Sequence, residues 1–492
     1  MPRPDTASSL FLALARGRGE PLFRRISRAI VDEIRKGRLR PGERLSGSRT
    51  LAASLGVNRN TVLAAYEELA SEGWTQPSRA SGTYVSRELP EVKARDFGSR
   101  EARRIEMPRH PAFELNPAPD PGEPPRAQNV PFSGSTPDLR LTPTAQLARA
   151  FRRVLRADPR KVLGYGNLHG HPRLRAALAD MLSASRGLAA SPDHVLVTSG
   201  SQMAIDLVSR ALLRPGDVVA VEHLGYRPAW LAFQQHGALV APIPVDEGGM
   251  NIEALSTIAA RRGLKAVYVT PHHQYPTTAT MAAGRRIALL AMARRLRFAV
   301  IEDDYDHEFH YDGRPVLPLA SADQSGTVIY IGTLAKILAP GLRLGYVVAP
   351  KSLIDTLAAH RFLVDRQGDH ALEYAVAELL EHGDAQRHAR RAKRIYQARR
   401  DFLARVLRQE LGDALSFTVP AGGIAIWATA ARGIDVEQWA ERAQSHALAI
   451  PTARQFAFDG RARPQMRLNF AAFEEQELRD AVRRLGKALT SP

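Results

Sequence analysis

The sequence predicts an α/β protein built from two folded parts. From about residue 131 onward, short apolar runs alternate with helical segments, which favours a mostly parallel sheet covered by helices. Residues 20–86 instead carry apolar positions at helical spacing, followed by a short segment with strand period. A segment rich in proline and charge separates the two parts. We therefore expect a small domain over residues 1–86, a linker over 87–130 and a large domain over 131–492.

The composition limits the partners and sites to be considered. The chain has 492 residues, no cysteine and a formal net charge of +17. The lack of cysteine excludes disulfides and thiolate metal sites, and the positive charge favours an anionic partner such as nucleic acid. No apolar run approaches the ~18 residues that a membrane span needs, and the first 20 residues lack the order of a secretory signal. We expect a cytoplasmic protein that does not contact a membrane.

Three helices and a hairpin are predicted in the N-terminal part. A second helix runs from Arg49 to Leu55, Asn58 can cap a third, and Trp74 to Val85, with Gly82 between, has the period of a hairpin. The first helix carries one apolar face, made by Leu22, Phe23, Ile26, Ile30 and Ile34. Two short helices joined by a tight turn and followed by a hairpin are typical of a winged helix-turn-helix.

That motif presents the first residues of its second helix to the major groove of DNA. Those residues are Arg59, Asn60 and Thr61, whose side chains suit guanine, adenine, and either a base or a phosphate. Arg49 is placed for a phosphate, and we also assign Gly82 of the hairpin to the DNA-binding set. A three-helix domain with a solvated polar face remains an open alternative.

One segment carries a specific resemblance. Residues 48–73, SRTLAASLGVNRNTVLAAYEELASEG, closed by the hairpin sequence GTYV, resemble the DNA-binding domain of the GntR regulators. The resemblance implies binding to double-stranded operator DNA. One departure is Leu45-Ser-Gly, where the family usually has Leu-Pro-Ser. After this domain, residues 87–129 hold 8 prolines, 8 basic and 8 acidic side chains, a composition that favours extended, semi-rigid chain.

The chemistry-bearing residues of the large domain follow predicted strands. Gly200, Ser201 and Gln202 lie between a strand and a helix, where backbone N–H groups and the helix dipole favour a phosphate. The acidic segment 302–306 ends another strand, and its carboxylates suit a protonated ring nitrogen, a metal ion or a helix N-cap. His307 and His310 add to the metal alternative, but we predict no metal site.

Lys336 follows the strand Val328–Ile331 in apolar company. Burial disfavours the charged form of a lysine, and a neutral amine can form a Schiff base with an aldehyde. Pyridoxal 5'-phosphate needs a lysine to react with its aldehyde, an acid to pair with its protonated ring nitrogen, and a binding site for its phosphate. The residues above offer all three, with Arg343 completing the phosphate site. The sequence therefore predicts this cofactor.

Residues ~131–492 resemble a fold type I aminotransferase domain, and the whole chain resembles the MocR/GabR regulators. The resemblance implies a large domain over about 160–370 and a small domain over about 371–492. It implies that Lys336 holds the cofactor as an internal aldimine, Asp303 binds its pyridine nitrogen and Tyr305 its ring hydroxyl. The remaining roles it implies are phosphate binding by Gly200, Ser201, Gln202, Thr333 and Arg343, ring stacking by Tyr226, and binding of an effector carboxylate by Arg467.

Three departures from the aminotransferase pattern accompany these matches. Ala335 stands where a serine commonly precedes the lysine, and Tyr275-Pro-Thr-Thr stands where aminotransferases have Asn-Pro-Thr-Gly. His223-Leu224 replaces the usual Asp-Pro ahead of Tyr226. These changes leave the expected cofactor set in place and bear mainly on turnover.

The expected function is that of a transcription regulator whose C-terminal domain senses pyridoxal phosphate or an amino compound through an aldimine at Lys336. We expect no enzyme, with room for weak or half transamination. The alternatives are an aminotransferase with an accessory DNA-binding domain, and a DNA-binding protein whose C-terminal domain is only a dimerisation scaffold. The family resemblance further implies a domain-swapped homodimer.

Overall fold

The structure, a computed structural model, describes residues 21–78, 82–90, 110–115, 130–132, 136–314 and 316–490. The chain divides into two compact units, Met1–Pro117 and Ala118–Pro492. Most of the predicted linker lies outside the described residues, so its extended form and the domain boundaries stay predictions.

The first unit is a winged helix-turn-helix, as predicted. Apolar side chains from all three helices meet in one core, where Ile26, Val62 and Leu69 are fully buried and Leu51 is 4% exposed. Gly56 ends the second helix at φ +65°, a left-handed conformation that favours glycine. The elements are α1 Leu22–Arg35, α2 Ser48–Leu55, α3 Arg59–Ser71 and the antiparallel hairpin β1 Thr75–Ser78 with β2 Gly82–Val85.

The second unit combines many helices with one large and several small sheets. Its strands are β3 Val130–Pro131, β4 Val195–Thr198, β5 Val218–Glu222, β6 Leu239–Ile243, β7 Val245–Asp246, β8 Gly249–Met250, β9 Ala266–Val269, β10 Ala299–Asp304, β11 Val328–Thr333, β12 Gly345–Val348, β13 Leu415–Ser416, β14 Ala425–Ala430, β15 Leu448–Ala449 and β16 Gln465–Asn469.

Its helices are α4 Thr144–Ala157, α5 Pro159–Leu163, α6 Pro172–Arg186, α7 Ser201–Leu212, α8 Arg227–Gln235, α9 Ile252–Arg262, α10 Ala283–Leu296, α11 Leu319–Ala322, α12 Lys351–Val364, α13 His370–Glu381, α14 Asp384–Leu411, α15 Val436–Ser445, α16 Ala453–Phe456 and α17 Glu475–Thr490. No helix among the described residues is long and apolar enough to cross a membrane.

Seven strands form the central sheet in the order β4–β12–β11–β10–β9–β5–β6. All neighbours pair in parallel except β12, which runs antiparallel to both β11 and β4. The mostly parallel sheet predicted from the apolar runs is therefore confirmed. Strands β4, β5, β9 and β11 are buried along their whole length, because helices cover both faces. The carboxyl ends of the parallel strands meet at one edge, where ligands bind in such folds.

The C-terminal part of this unit packs around a smaller antiparallel sheet, β13–β14–β16. One apolar core joins this sheet to α14, α15 and α17, with Trp439, Phe470 and Leu478 almost fully buried. The Trp439 indole N–H donates to the backbone carbonyl of Leu485 at 2.8 Å, which satisfies its one polar atom.

The N-terminus of α3 depends on a side-chain cap. Asn58 Oδ1 accepts a hydrogen bond from the Asn60 backbone N–H at 2.9 Å, as its position before the helix predicts. Asn58→Ala should destabilise α3 by about 1 kcal/mol, so its amides should exchange with solvent about fivefold faster. Hydrogen exchange measured by mass spectrometry on residues 59–71 checks this. Asn60→Ala is the matched control, because it keeps the backbone donor, and equal exchange in both variants contradicts the prediction.

Candidate cofactor site and DNA-reading surface

A cavity of about 210 Å³ lies in the second unit, beyond the carboxyl ends of the central strands. It brings together eight of the nine residues that the sequence assigns to the cofactor. Its lining residues are Ser201, Gln202, Tyr226, Tyr268, Thr270, Tyr275, Asp303, Tyr305, Thr333, Ala335, Lys336, Pro340 and Arg343. The ninth residue, Gly200, adjoins this set through Arg343.

Lys336 reaches the cavity from the turn that follows β11. Thr333 shapes this turn, because its hydroxyl donates to the Leu344 carbonyl at 3.2 Å and accepts from the Ala335 N–H at 3.1 Å. Burial, followed by the positive charge of Arg467, lowers the pKa of Lys336 to about 8. The amine is therefore far closer to its neutral, nucleophilic form at neutral pH than an exposed lysine would be.

Asp303 lies near the end of β10 and is 5% exposed. Its Oδ2 accepts a hydrogen bond from the Tyr268 hydroxyl at 2.6 Å, while its Oδ1 has no hydrogen-bond partner among the described residues. Burial raises the pKa of Asp303 to about 6, against the opposing effect of the Tyr268 hydrogen bond. A buried carboxylate oxygen left free beside a cavity suits a ligand that brings a proton donor or a positive charge.

A glycine and an arginine shape another part of the cavity. Gly200 has φ +88°, and a Cβ there would lie 2.6 Å from Arg343 Nη2, so a side chain would displace the guanidinium. Arg343 donates to the Ser199 carbonyl at 3.0 Å, and Ser201 begins the 12-residue helix α7. An arginine beside the free N–H groups of a helix N-terminus makes a site for an anion such as a phosphate.

Aromatic rings line another side of the cavity. The Tyr275 ring stands edge-on to the rings of Tyr226 and Tyr305, each with centroids 5.9 Å away. The Tyr305 hydroxyl is buried and has no hydrogen-bond partner among the described residues, so a ligand could supply one. Tyr275, which stands where aminotransferases have asparagine, therefore fills space with a ring instead of offering an amide.

Arg467 does not line the cavity. It is fully buried on β16, and its Cζ lies 5.1 Å from the centroid of the Tyr275 ring. Its charge nevertheless acts on the cavity, since it lowers the pKa of Lys336. Its predicted contact with an effector carboxylate stays a prediction.

Three lining residues, Tyr268, Thr270 and Pro340, escaped the sequence analysis. Tyr268 is a buried strand residue whose hydroxyl donates to Asp303, and Thr270 donates from its hydroxyl to Glu222 Oε2 at 2.7 Å. Burial raises the pKa of Glu222 to about 7, although Thr270 opposes this. A tyrosine inside an otherwise apolar strand indicates a buried hydroxyl that needs a partner, but the sequence does not identify that partner.

Four of the residues predicted to contact DNA lie in the first turns of α2 and α3. Arg49, Arg59 and Asn60 are exposed and Thr61 is partly buried, while Arg59 Nε lies 3.4 Å from the Ser48 hydroxyl that it donates to. Gly82 is also exposed, with φ +114°. Exposed donors at the start of the second helix of the pair have the placement that base-edge and phosphate contacts require.

Comparison with known proteins gives the same two-part picture. The family "Bacterial regulatory proteins, gntR family" matches residues 22–85, and "Aminotransferase class I and II" matches residues 133–485. The chain is 32% identical to the probable rhizopine catabolism regulatory protein MocR of Rhizobium meliloti, over 97% of this chain and 95% of that protein. It is 31% identical to the HTH-type transcriptional regulator TauR of Rhodobacter capsulatus, over 98% and 99% of the two chains.

A solved structure covers the second unit. It is the α-aminoadipate aminotransferase LysN of Thermus thermophilus in complex with N-(5'-phosphopyridoxyl)-L-leucine, with a TM-score of 0.69 and 28% identity over 74% of this chain and 92% of that one. With the cavity chemistry and the full-length regulator relatives, this likeness assigns pyridoxal 5'-phosphate as the cofactor. The chain belongs to the MocR/GabR group of GntR transcriptional regulators, in which a winged helix-turn-helix precedes an aminotransferase-like domain that binds pyridoxal phosphate.

Proposed function

We propose that this regulator senses pyridoxal phosphate itself, or an amino compound that reacts with the bound cofactor, and that the sensing residue is Lys336. The observation that carries the proposal is the placement of one amine with a lowered pKa in the same cavity as a buried acid with a free oxygen. When bound, the cofactor supplies an aldehyde for the lysine amine and an electron-withdrawing ring for the acid to hold protonated.

The cavity fits that cofactor at three points. Lys336 provides the amine, and Asp303 provides an unpartnered oxygen for the ring nitrogen. Arg343 provides positive charge for the phosphate, and Ser201 and Gln202, the first residues of α7, provide backbone N–H groups. The Gln202 side chain shapes the cavity wall, because its Nε2 donates to the Pro228 carbonyl at 3.0 Å and its buried Oε1 has no partner among the described residues.

Tyr226, Tyr305 and Thr333 complete the proposed set. Tyr226 is partly buried at the cavity and can pack against a ring, and the Tyr305 hydroxyl is free to donate to a ring oxygen. Arg467 is proposed to act on an effector carboxylate at close range only if Tyr275 moves, because the tyrosine ring stands over its guanidinium.

We favour a regulator without sustained transaminase turnover over an enzyme with an accessory DNA-binding domain. The relatives matched along nearly their whole length are named as regulators, whereas the aminotransferase LysN aligns with 74% of this chain. Ala335 and Tyr275 also remove a hydroxyl and an amide that the aminotransferase pattern places at the cavity. A domain-swapped homodimer, in which each DNA reader packs on the partner's second unit, belongs to the same proposal.

Replacement of the lysine tests the sensing role. Lys336→Ala should leave operator binding largely intact and abolish the change in DNA affinity on adding effector, because the covalent attachment point is gone. The measurement is DNA affinity together with the visible absorption spectrum, before and after a panel of amino acids and amines. Lys351→Ala, at an exposed lysine paired with Asp355, is the control. An unchanged effector response in Lys336→Ala would contradict the proposal. Accumulation of keto product over many turnovers by the wild-type protein would favour the alternative, an aminotransferase with an accessory DNA-binding domain.

The pH dependence of cofactor capture tests the environment of Lys336. Because the neutral amine attacks, the rate of capture by cofactor-free protein should rise with pH and level off above about 8. Stopped-flow absorption follows the reaction. Arg467→Gln removes a positive charge that lowers the pKa of Lys336, so its profile should shift to higher pH. A wild-type profile that climbs until the ordinary lysine range of about 10.4 contradicts the assignment.

The Tyr268 hydroxyl should help to keep Asp303 ionised. Tyr268→Phe removes a hydrogen bond that lowers the pKa of Asp303, so the acid should hold a protonated ring nitrogen less well. We expect about a tenfold loss of cofactor affinity, measured by absorption titration. Tyr330→Phe is the matched control, since the Tyr330 hydroxyl donates to Asp304 Oδ2 at 2.7 Å and does not line the cavity. Equal losses in the two variants would show a general packing effect instead.

A further inference from the structure

Four histidines that do not line the cofactor cavity lie together, contributed by two separate turns. His272 and His273 follow β9, whereas His307 and His310 follow β10. All four are buried, with exposures of 1–7%. The rings of His273 and His310 stack with centroids 5.6 Å apart, and His272 stacks on His307 at 4.5 Å. This grouping has no role in the cofactor chemistry above.

We propose that His272, His273 and His310 bind a divalent transition metal ion, with Zn²⁺ as the first candidate. One nitrogen from each ring can be chosen so that all three lie within 4.8 Å of one another. Imidazole nitrogen is a preferred ligand of zinc, and three histidines leave a fourth position open for water or another donor. The chain has no cysteine, so histidine and carboxylate are the ligands available to such an ion.

One side of the ligand triangle already has the required length. His273 Nε2 and His310 Nδ1 are 3.3 Å apart. Two nitrogens bound at 2.0–2.1 Å to a tetrahedral ion are also about 3.3 Å apart. His272 is the third donor, and one of its ring nitrogens lies within 4.8 Å of a ring nitrogen of each of the other two histidines.

The second ring nitrogen of His273 has the partner expected of a metal ligand. His273 Nδ1 lies 2.8 Å from Asp306 Oδ1, so the ring donates this N–H to a carboxylate and turns the lone pair of Nε2 toward His310. Metal-bound histidines commonly donate their other N–H to a carboxylate, which fixes the tautomer and the ring orientation. On binding an ion, His310 must carry its proton on Nε2 so that Nδ1 is free to coordinate.

Buried polar atoms without a hydrogen-bond partner among the described residues are a second, independent indication of a bound ion. His272 is 2% exposed, and neither of its ring nitrogens has a hydrogen-bond partner among the described residues. Asp306 is 1% exposed, and its Oδ2 is likewise without a partner. Buried polar atoms of this kind are rare without a bound water or ion, and a cation at the three rings would satisfy one nitrogen of His272.

His307 is better placed as a neighbour than as a ligand. Its Nδ1 lies 2.9 Å from Asp304 Oδ2, so this histidine is engaged with a carboxylate, while its ring covers one face of His272. This proposal departs from the expectation of no metal, because only the fold brings the 272–273 and 307–310 turns together.

The test uses untagged full-length protein and Zn²⁺ alone. After dialysis against a weak chelator, elemental analysis should find close to one zinc per wild-type chain. His273→Gln and His310→Gln should each lower zinc affinity at least about 100-fold, and Asp306→Asn should lower it about 10–100-fold. His370→Gln, at a histidine that is 3% exposed and outside the cluster, is the matched control and should keep the ion.

Two further measurements separate the outcomes. Lys336→Ala should keep the zinc, and loss of zinc there would place the ion on the cofactor and overturn the proposal. Where a histidine variant fails to fold, X-ray absorption at the zinc edge of the wild-type protein decides, because it counts nitrogen ligands directly. Two results would show that the histidines form only a hydrogen-bonded core. One is a wild-type protein that retains no zinc, and the other is zinc binding that persists in His273→Gln, His310→Gln and Asp306→Asn.

Discussion

The second unit is organised around a run of acidic residues carried into its interior. Four carboxylates within residues 302–306 are 5% exposed or less. An ionised carboxylate in such a place costs several kcal/mol unless a partner offsets its lost hydration. The observed partners are the Leu319 and Ala320 N–H groups for Glu302, the Tyr268 hydroxyl for Asp303, the Tyr330 hydroxyl with His307 and Arg186 for Asp304, and His273 for Asp306.

The alternation of the strand gives these acids different tasks. Glu302 and Asp304 share one face of β10, where Glu302 holds the start of α11 and Asp304 meets positive charge that keeps its pKa well below the usual range. Asp303 points to the other face, where its Oδ2 accepts a hydrogen bond from Tyr268 and its carboxyl group lines the cavity. The same sequence pattern thus supplies structural acids on one face and an acid that lines the cavity on the other.

The sequence alone predicts those features of the fold and the site that follow from short sequence patterns and from the general topology of parallel sheets. The strands and the cluster of Lys336, Asp303 and Arg343 could be predicted, because apolar runs set the strands and parallel topology gathers their carboxyl ends. Tyr268 could not be separated from an ordinary core tyrosine, since its role depends on the register of β9 against β10. The approach of His273 to His310 depends on the same pairing. Arg467 was predicted from its motif, but its cover by Tyr275 is a tertiary contact that no local pattern contains.

The turn after β10 also ties the central sheet to the C-terminal part of the unit. The Tyr311 N–H donates to the Ala421 carbonyl at 2.7 Å, and the Gly423 N–H donates to the Phe309 carbonyl at 2.8 Å. Gly422 between them has no room for a side chain, because a Cβ would clash with the His273 ring. These two hydrogen bonds hold the turn against residues 421–423. The position of the C-terminal part therefore constrains the turn that follows Asp303 and Asp306, so the fit of that part against the sheet bears on the geometry of the cofactor site.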